Sequence, residues 1–132
     1  MALSAEHWVI IGGVHSAAFG IFHACFWRLF KWKTSLRSLS TIDRGVMQIL
    51  NLRLIYVFFV VALGSLLYPQ ALAGSALGNA VQLALAGFWA GRLVEQFIFF
   101  PVRGMLSISL TALFALGAIV HFMAAWTGGH LF

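Results

Sequence analysis

Four long stretches of this chain contain few charged residues, and each is long enough to cross a lipid bilayer as a helix. A spanning helix needs about 20 mostly apolar residues. Of the 132 residues, 62% are apolar and 8% are charged, whereas an ordinary soluble domain is about 25% charged. The predicted spans cover residues 8–30, 46–68, 79–100 and 104–126. We therefore predict an all-α integral membrane protein, in which residues 1–132 form a single transmembrane domain, an antiparallel bundle of four transmembrane helices.

Residues that start or stop helices stand at the ends of these stretches. Ser4 is a suitable N-cap for the first helix, and the segment Ser40-Thr41-Ile42-Asp43 resembles a capping box at the start of the second. Pro69 and Pro101 are expected to end the second and third helices. The third and fourth spans are joined by the short turn Pro101-Val102-Arg103-Gly104, so these two helices should be antiparallel neighbours.

Six of the eight Lys and Arg residues lie in two of the three connections or at their edges. They are Arg28, Lys31, Lys33, Arg37 and Arg44 around the first connection and Arg103 in the third. Because positively charged connections stay in the cytoplasm, we predict that both termini lie outside. The localisation expected is the bacterial inner (plasma) membrane, with the first helix retained and not cleaved as a signal peptide. The net charge of +5 then reflects orientation in the bilayer and does not indicate nucleic-acid binding.

Polar and ionisable residues inside the predicted spans are the best indicators of function, because they are costly in hydrocarbon. Counted from the outer end of each span, most members of one group lie about 20 to 27 Å deep. The group consists of His23, Asn51, Arg53, Arg92, Glu95 and Gln96. We predict that this inner-leaflet layer binds or transports a small ligand, an ion or a proton.

Part of the inner layer also has a purely structural interpretation. Arg92 and Glu95 are three residues apart and could form an internal salt bridge. Arg53 could extend its guanidinium to the cytoplasmic interface. Helical spacing places Arg92, Glu95, Gln96 and Phe99 on one arc, which we expect to face the interior.

Two histidines form a second, outer level. His15 and His121 are predicted at about 10 Å and about 7 Å from the outer surface. They could be the two axial ligands of a b-type haem, or part of a copper site with His7 or Met123. An electron-transfer or metal-binding protein is therefore an alternative function. The structural alternative is that both are hydrogen-bonded histidines of the bundle.

The segment from Lys31 to Leu39 is basic and sparsely apolar, and we expect it to lie on the cytoplasmic membrane surface. It is either a structural linker or a site that recognises lipids or a partner.

Small residues recur at a spacing that allows close helix approach. Gly87 and Gly91 form a G-x-x-x-G pattern, and Gly13 and Ala17 a similar one. Such faces pack within a bundle or between copies of a chain, so a homo-oligomer is expected, and an accessory or structural membrane subunit is a further alternative. No common catalytic motif is present in the sequence. Enzymatic activity is left open.

Overall fold

The computed structural model describes residues 2–129, and all regular secondary structure in that range is helical. The helices are α1 (Ala5–Ala24), α2 (Phe26–Leu29), α3 (Trp32–Ser35), α4 (Thr41–Leu67), α5 (Pro69–Ala73), α6 (Ala76–Phe99) and α7 (Gly104–Gly128). A short 3-10 helix (Leu36–Ser38) follows α3. The all-helical part of the predicted fold class is confirmed.

Helices α4 and α7 are long and apolar enough to cross a membrane, judged by length and composition. Their lengths are 27 and 25 residues, which corresponds to about 40 Å and about 38 Å, against about 30 Å for the hydrocarbon core. Only 17% and 33% of their most apolar windows are buried inside the protein. Helix α1 overlaps the first predicted span, and helix α6 overlaps the third. Insertion of these two helices into a membrane stays a prediction.

Local sequence signals set several helix ends. The Ser40 hydroxyl donates to Asp43 Oδ2 at 2.7 Å and accepts from the Asp43 amide at 3.1 Å, so the predicted cap is confirmed and α4 begins ahead of the predicted span. The His7 amide donates to Ser4 Oγ at 3.4 Å, and Pro69 occupies the first turn of α5. Proline suits the first turn of a helix, because an N–H at that position has no helical carbonyl to bond to and its absence loses no helical hydrogen bond.

The first predicted span is not one continuous helix. α1 ends at Ala24, and the Cys25 amide is shared between the carbonyls of Ile21 and Phe22. After α2 the backbone of Lys31 adopts φ 50° and ψ 46°, a left-handed conformation that side chains with a Cβ rarely take. The helix is therefore interrupted at Cys25, inside the predicted span, and the chain turns at Lys31, directly after the predicted end at Phe30.

The chain divides into two compact units. Unit 1 comprises Met1–Gly12 and Ser65–Phe132, and unit 2 comprises Gly13–Gly64. In unit 1, Gln82 near the start of α6 bonds to His121 near the end of α7, and Gln96 near the end of α6 bonds to Ser107 near the start of α7. Helices α6 and α7 are therefore antiparallel neighbours, as their short connection predicts.

Aromatic rings make up much of the packing in each unit. In unit 1 the rings of Trp89 and Phe114 stack with centroids 6.0 Å apart. In unit 2, edge-to-face contacts join Phe22 to Phe26 and Phe26 to Phe30 along α1 and α2. Such contacts add about 0.5 to 1.5 kcal/mol per pair beyond area burial, so they stabilise the segment despite its interrupted helix.

Candidate functional site

Three interhelical hydrogen bonds join the α1–α2 segment to α4 in unit 2. Nδ1–H of His23 donates to Asn51 Oδ1 at 2.8 Å, and Asn51 Nδ2 donates back to the carbonyl of His23 at 3.0 Å. About one turn away, Nε1–H of Trp27 donates to Gln48 Oε1 at 3.3 Å. These residues are spaced at about one helical turn on each side, and together the bonds form a polar ladder between the two segments.

The reciprocal pair is held by aromatic packing. The imidazole of His23 stacks on Phe26 with centroids 4.2 Å apart and an interplanar angle of 26°, and it lies 5.2 Å from Phe58. Asn51 is buried, with 4% of its surface exposed. Of the predicted inner layer, the structure thus brings His23 and Asn51 into direct contact.

A partly open cavity of about 190 Å³ lies at the Trp27–Gln48 end of this ladder. We call it the basic pocket. Its lining residues are Trp27, Trp32, Lys33, Leu36, Arg37, Arg44 and Gln48. All belong to unit 2, and they come from α2, α3, the 3-10 helix and the first turns of α4.

The turn at Lys31 places the two tryptophans of the basic pocket against each other. Trp32 directly follows the left-handed residue, and its ring lies edge-on to Trp27 with centroids 5.2 Å apart. The Ser35 hydroxyl bonds to the carbonyls of Phe30 and Lys31 at 3.0 Å and 3.1 Å. These bonds fix the segment that carries the pocket's cations.

The other wall of the basic pocket is supplied by α4. Gln48 Nε2 donates to the carbonyl of Arg44 at 3.1 Å, while its Oε1 accepts from Trp27. The Gln48 side chain is therefore fixed by both of its polar atoms. Arg44 NH2 approaches Thr41 Oγ1 at 3.5 Å, which leaves most of the guanidinium donors for other partners.

The electrostatics of the basic pocket are one-sided. Lys33, Arg37 and Arg44 line it, and no carboxylate does so among the described residues. The nearest acidic residue in the sequence, Asp43, accepts hydrogen bonds within the cap of α4. An anion in the pocket would be attracted by three positive charges.

The polar residues of α6 in unit 1 form a separate chain of contacts. Arg92 NH2 donates to Gln96 Oε1 at 3.2 Å, Gln96 Nε2 donates to Ser107 Oγ at 3.1 Å, and Ser107 donates to the carbonyl of Pro101 at 3.0 Å. The Arg92 guanidinium also lies 4.4 Å from the ring of Phe114. This arrangement gives Arg92 a role in joining α6 to α7.

The expectation that four residues of α6 share an interior face is wrong for two of them. Gln96 is buried and Arg92 is half-buried, but Glu95 and Phe99 are exposed. No ion pair within 4 Å joins Arg92 to Glu95 in the structure. Arg53 of unit 2 is likewise exposed, with its guanidinium 5.8 Å from the ring of Tyr56.

The two outer histidines belong to different units and are considered separately. In unit 1, His121 is fully buried and its Nδ1 lies 2.7 Å from Gln82 Oε1. Gln82 is 1% exposed, and its Nε2 has no hydrogen-bond partner among residues 2–129. In unit 2, His15 is 7% exposed and its ring lies 4.9 Å from Phe19.

Metal binding gains no support from the arrangement of ligand-type side chains. Within residues 2–129, no group of three or more His, Cys, Asp and Glu side chains is placed to hold a metal ion. His7 is exposed, with Nδ1 at 2.6 Å from Ser4 Oγ. The haem or copper site at His15 and His121 stays a prediction.

Four of the seven lining residues lie in the segment from Lys31 to Leu39, for which the sequence left lipid recognition open. The sequence did not link Trp27, Arg44 and Gln48 to that segment. The available signal was spacing: Trp27 lies four residues after His23, and Gln48 three residues before Asn51. Side chains at these intervals share a helix face. The contact between His23 and Asn51 therefore brings Trp27 within reach of Gln48.

No protein-family model, no curated protein and no solved structure matches this chain significantly.

Proposed function

We propose that this chain is a multi-pass membrane protein that binds a small anionic ligand in the basic pocket of unit 2. The observation that carries the proposal is the lining of this pocket, with three cationic side chains and no carboxylate among the described residues. Charge-assisted hydrogen bonds from such groups to an anion are about twice as strong as neutral ones. The pocket therefore has the chemistry of an anion site.

The position of the pocket along the chain supports a location at the membrane surface. It is built from the connection that the positive-inside rule assigns to the cytoplasm and from the first turns of α4. Helix α4 is one of the two helices long and apolar enough to span a bilayer. In the proposed arrangement of four spans, an anion reaches the pocket from the cytoplasmic side.

The His23–Asn51 pair acts as a support for the anion site. It ties α1 to α4 one turn from the Trp27–Gln48 bond, and so it holds two pocket walls at a constant separation. Binding is the part of the sequence hypothesis that this geometry favours. Transport of an ion or proton stays a prediction, as do functional roles for Arg53, Arg92, Glu95 and Gln96.

Native mass spectrometry of protein purified in an uncharged detergent tests this proposal. We expect wild-type protein to retain a small adduct that Arg44→Gln loses and Arg103→Gln keeps. Both variants lose one positive charge, but Arg103 is not a lining residue. Wild-type protein without an adduct, or an adduct retained equally by both variants, would contradict the anion site.

A second candidate function is haem-dependent electron transfer in unit 1. It is favoured by the bond between His121 and Gln82, in which the Gln82 carbonyl oxygen accepts from Nδ1–H of His121. This is the tautomer that a metal-ligating histidine adopts when a second group holds its other nitrogen.

An absorbance spectrum of the purified protein tests the second candidate. A haem protein shows a Soret band that His121→Met shifts or removes. Iron and copper absent from elemental analysis, together with no Soret band in protein expressed with added haem precursor, would contradict it. The anion site does not depend on this result, since its residues belong to unit 2.

A further inference from the structure

We infer that the anion bound in the basic pocket is a phosphate group, and that the headgroup of a membrane lipid supplies it. This inference rests on the anion site proposed above and specifies its ligand. It is carried by three features of unit 2: the kind of cations in the pocket, the size of the cavity, and the apolar residues beside it.

Two of the three cations in the basic pocket are arginines, Arg37 and Arg44. A guanidinium presents a planar fork of donors that matches two oxygens of a phosphate group, whereas the ammonium of Lys33 acts as a point charge. The side chain of Gln48 is held by Trp27 and by a backbone carbonyl, and the two guanidinium groups and the ammonium are the charged donors of the pocket. This combination suits a tetrahedral oxyanion that accepts several hydrogen bonds.

The cavity volume of about 190 Å³ limits how much of a ligand can enter. Pockets that enclose drug-sized molecules measure about 300 to 1,000 Å³. The basic pocket can therefore enclose a phosphate and a small attached group, but not a nucleotide or a whole lipid. The cavity is partly open, which allows the remainder of a larger molecule to extend outside.

Apolar side chains stand exposed on both sides of the segment that carries the cations. Leu29 and Phe30 precede it, and Leu39 and Ile42 follow it, with Ile42 78% exposed. In water these groups would be unfavourable, whereas at a bilayer surface they can contact acyl chains while the cations face headgroups. A soluble phosphate ester would make no use of them.

Trp27 and Trp32 give the basic pocket the composition of a membrane interface. Tryptophan is enriched at the headgroup level because its ring is apolar and its N–H is polar. Trp27 shows this division, since its ring contacts Trp32 while its N–H bonds to Gln48. A lipid phosphate in the pocket would lie beside these rings, with its acyl chains directed towards the apolar flanks.

Intrinsic tryptophan fluorescence in micelles of an uncharged detergent provides the test. The probes are dioctanoyl phosphatidate, dioctanoyl glycerol, glycerol 3-phosphate and inorganic phosphate. We expect dioctanoyl phosphatidate to cause a saturable change in fluorescence and dioctanoyl glycerol to cause none. Trp32→Phe should reduce the size of the change caused by phosphatidate. Arg37→Gln should weaken phosphatidate binding about tenfold, as expected for loss of a charge-assisted hydrogen bond.

Arg28→Gln is the matched control, because Arg28 is an exposed cation of the same region that does not line the pocket. We expect its affinity for phosphatidate to stay within about twofold of wild type, since it loses only a screened surface charge. Arg37→Lys keeps the positive charge but loses the planar set of guanidinium donors. Its affinity for phosphatidate should therefore lie between the affinities of wild type and Arg37→Gln. Gel filtration establishes that each variant remains folded and of wild-type size.

The outcomes separate the possible ligands. Saturation by glycerol 3-phosphate or inorganic phosphate as strong as that by phosphatidate would overturn the lipid assignment in favour of a soluble phosphate. Failure of every phosphate probe, or equal losses in Arg28→Gln and Arg37→Gln, would overturn the phosphate site itself. If mass spectrometry then still finds an Arg44-dependent adduct that lacks phosphorus, the anion site stands and only its ligand differs.

Discussion

Gly12 of α1 lies directly against the imidazole of His121 on α7 in unit 1. A Cβ atom placed on Gly12 would be 2.7 Å from Cε1 of His121 and 3.2 Å from its Nδ1. The ring is also held by Gln82 of α6, whose Oε1 is 2.7 Å from the same Nδ1. Three helices thus meet at one buried side chain, and the absence of a side chain at Gly12 is what allows their close approach.

Gly12→Ala should therefore destabilise the protein. The added methyl group forces His121 to move, and overpacking of this kind costs about 1 to 3 kcal/mol. Thermal denaturation in detergent should show a lower melting temperature than wild type. An unchanged melting temperature would mean that the α1–α7 approach is looser than the structure shows.

Gly91→Ala is the matched comparison on α6. Gly91 is exposed, and a Cβ there meets no atom within 4 Å in the described structure. If nothing packs on this face, alanine should stabilise the helix by about 0.5 to 1 kcal/mol. A destabilised protein of altered oligomeric size would instead support the predicted homo-oligomer, with Gly87 and Gly91 between copies, and would favour the accessory-subunit alternative.

The His23–Asn51 pair should show measurable energetic coupling. In a double-mutant cycle of His23→Phe and Asn51→Leu, we expect a coupling energy of about 0.6 to 1.7 kcal/mol, the range found for polar pairs between membrane helices. The measurement is the free energy of unfolding in detergent. A cycle of Asn51→Leu with Arg28→Gln should be additive. Additivity of the first cycle as well would contradict the reciprocal hydrogen bonds.

The left-handed turn at Lys31 should tolerate glycine and reject a β-branched residue. Left-handed backbone costs an ordinary residue about 1 to 2 kcal/mol, and glycine avoids that cost. Lys31→Gly should therefore unfold at or above the wild-type temperature, whereas Lys31→Val should unfold below it. Because Lys31→Gly keeps the turn and Lys31 does not line the basic pocket, this variant should bind dioctanoyl phosphatidate as wild type does. Equal stability of the two variants would show that the turn is not left-handed.

The predicted orientation is testable by cysteine accessibility. In a Cys25→Ala background, a cysteine in place of Ser38 should react with an impermeant thiol reagent only after the cytoplasmic side of the membrane is exposed. A cysteine in place of Gln70 should react from the outer side. Labelling of both cysteines from the same side would contradict the four-span arrangement with external termini.

Local sequence signals set several helix ends, among them the start of α4 and the ends of α4 and α6. The Ser40–Asp43 cap acts within one turn, and Pro69 and Pro101 act on their own backbone. The antiparallel α6–α7 pair also followed from a connection too short for any other arrangement. The composition further indicated which segments are apolar enough to leave water.

Tertiary structure decided what the polar residues contact. Helical spacing placed Glu95 and Gln96 on one arc, but only Gln96 is buried, since the width of the covered face depends on the neighbouring helix and not on the periodicity. The basic pocket needed two further facts that no local pattern contains: the left-handed turn at Lys31, and the hydrogen bond from Trp27 to Gln48 across 21 positions of the sequence. The charges of the first connection were evident from the sequence, but the pocket that this connection forms with Trp27 and Gln48 was not.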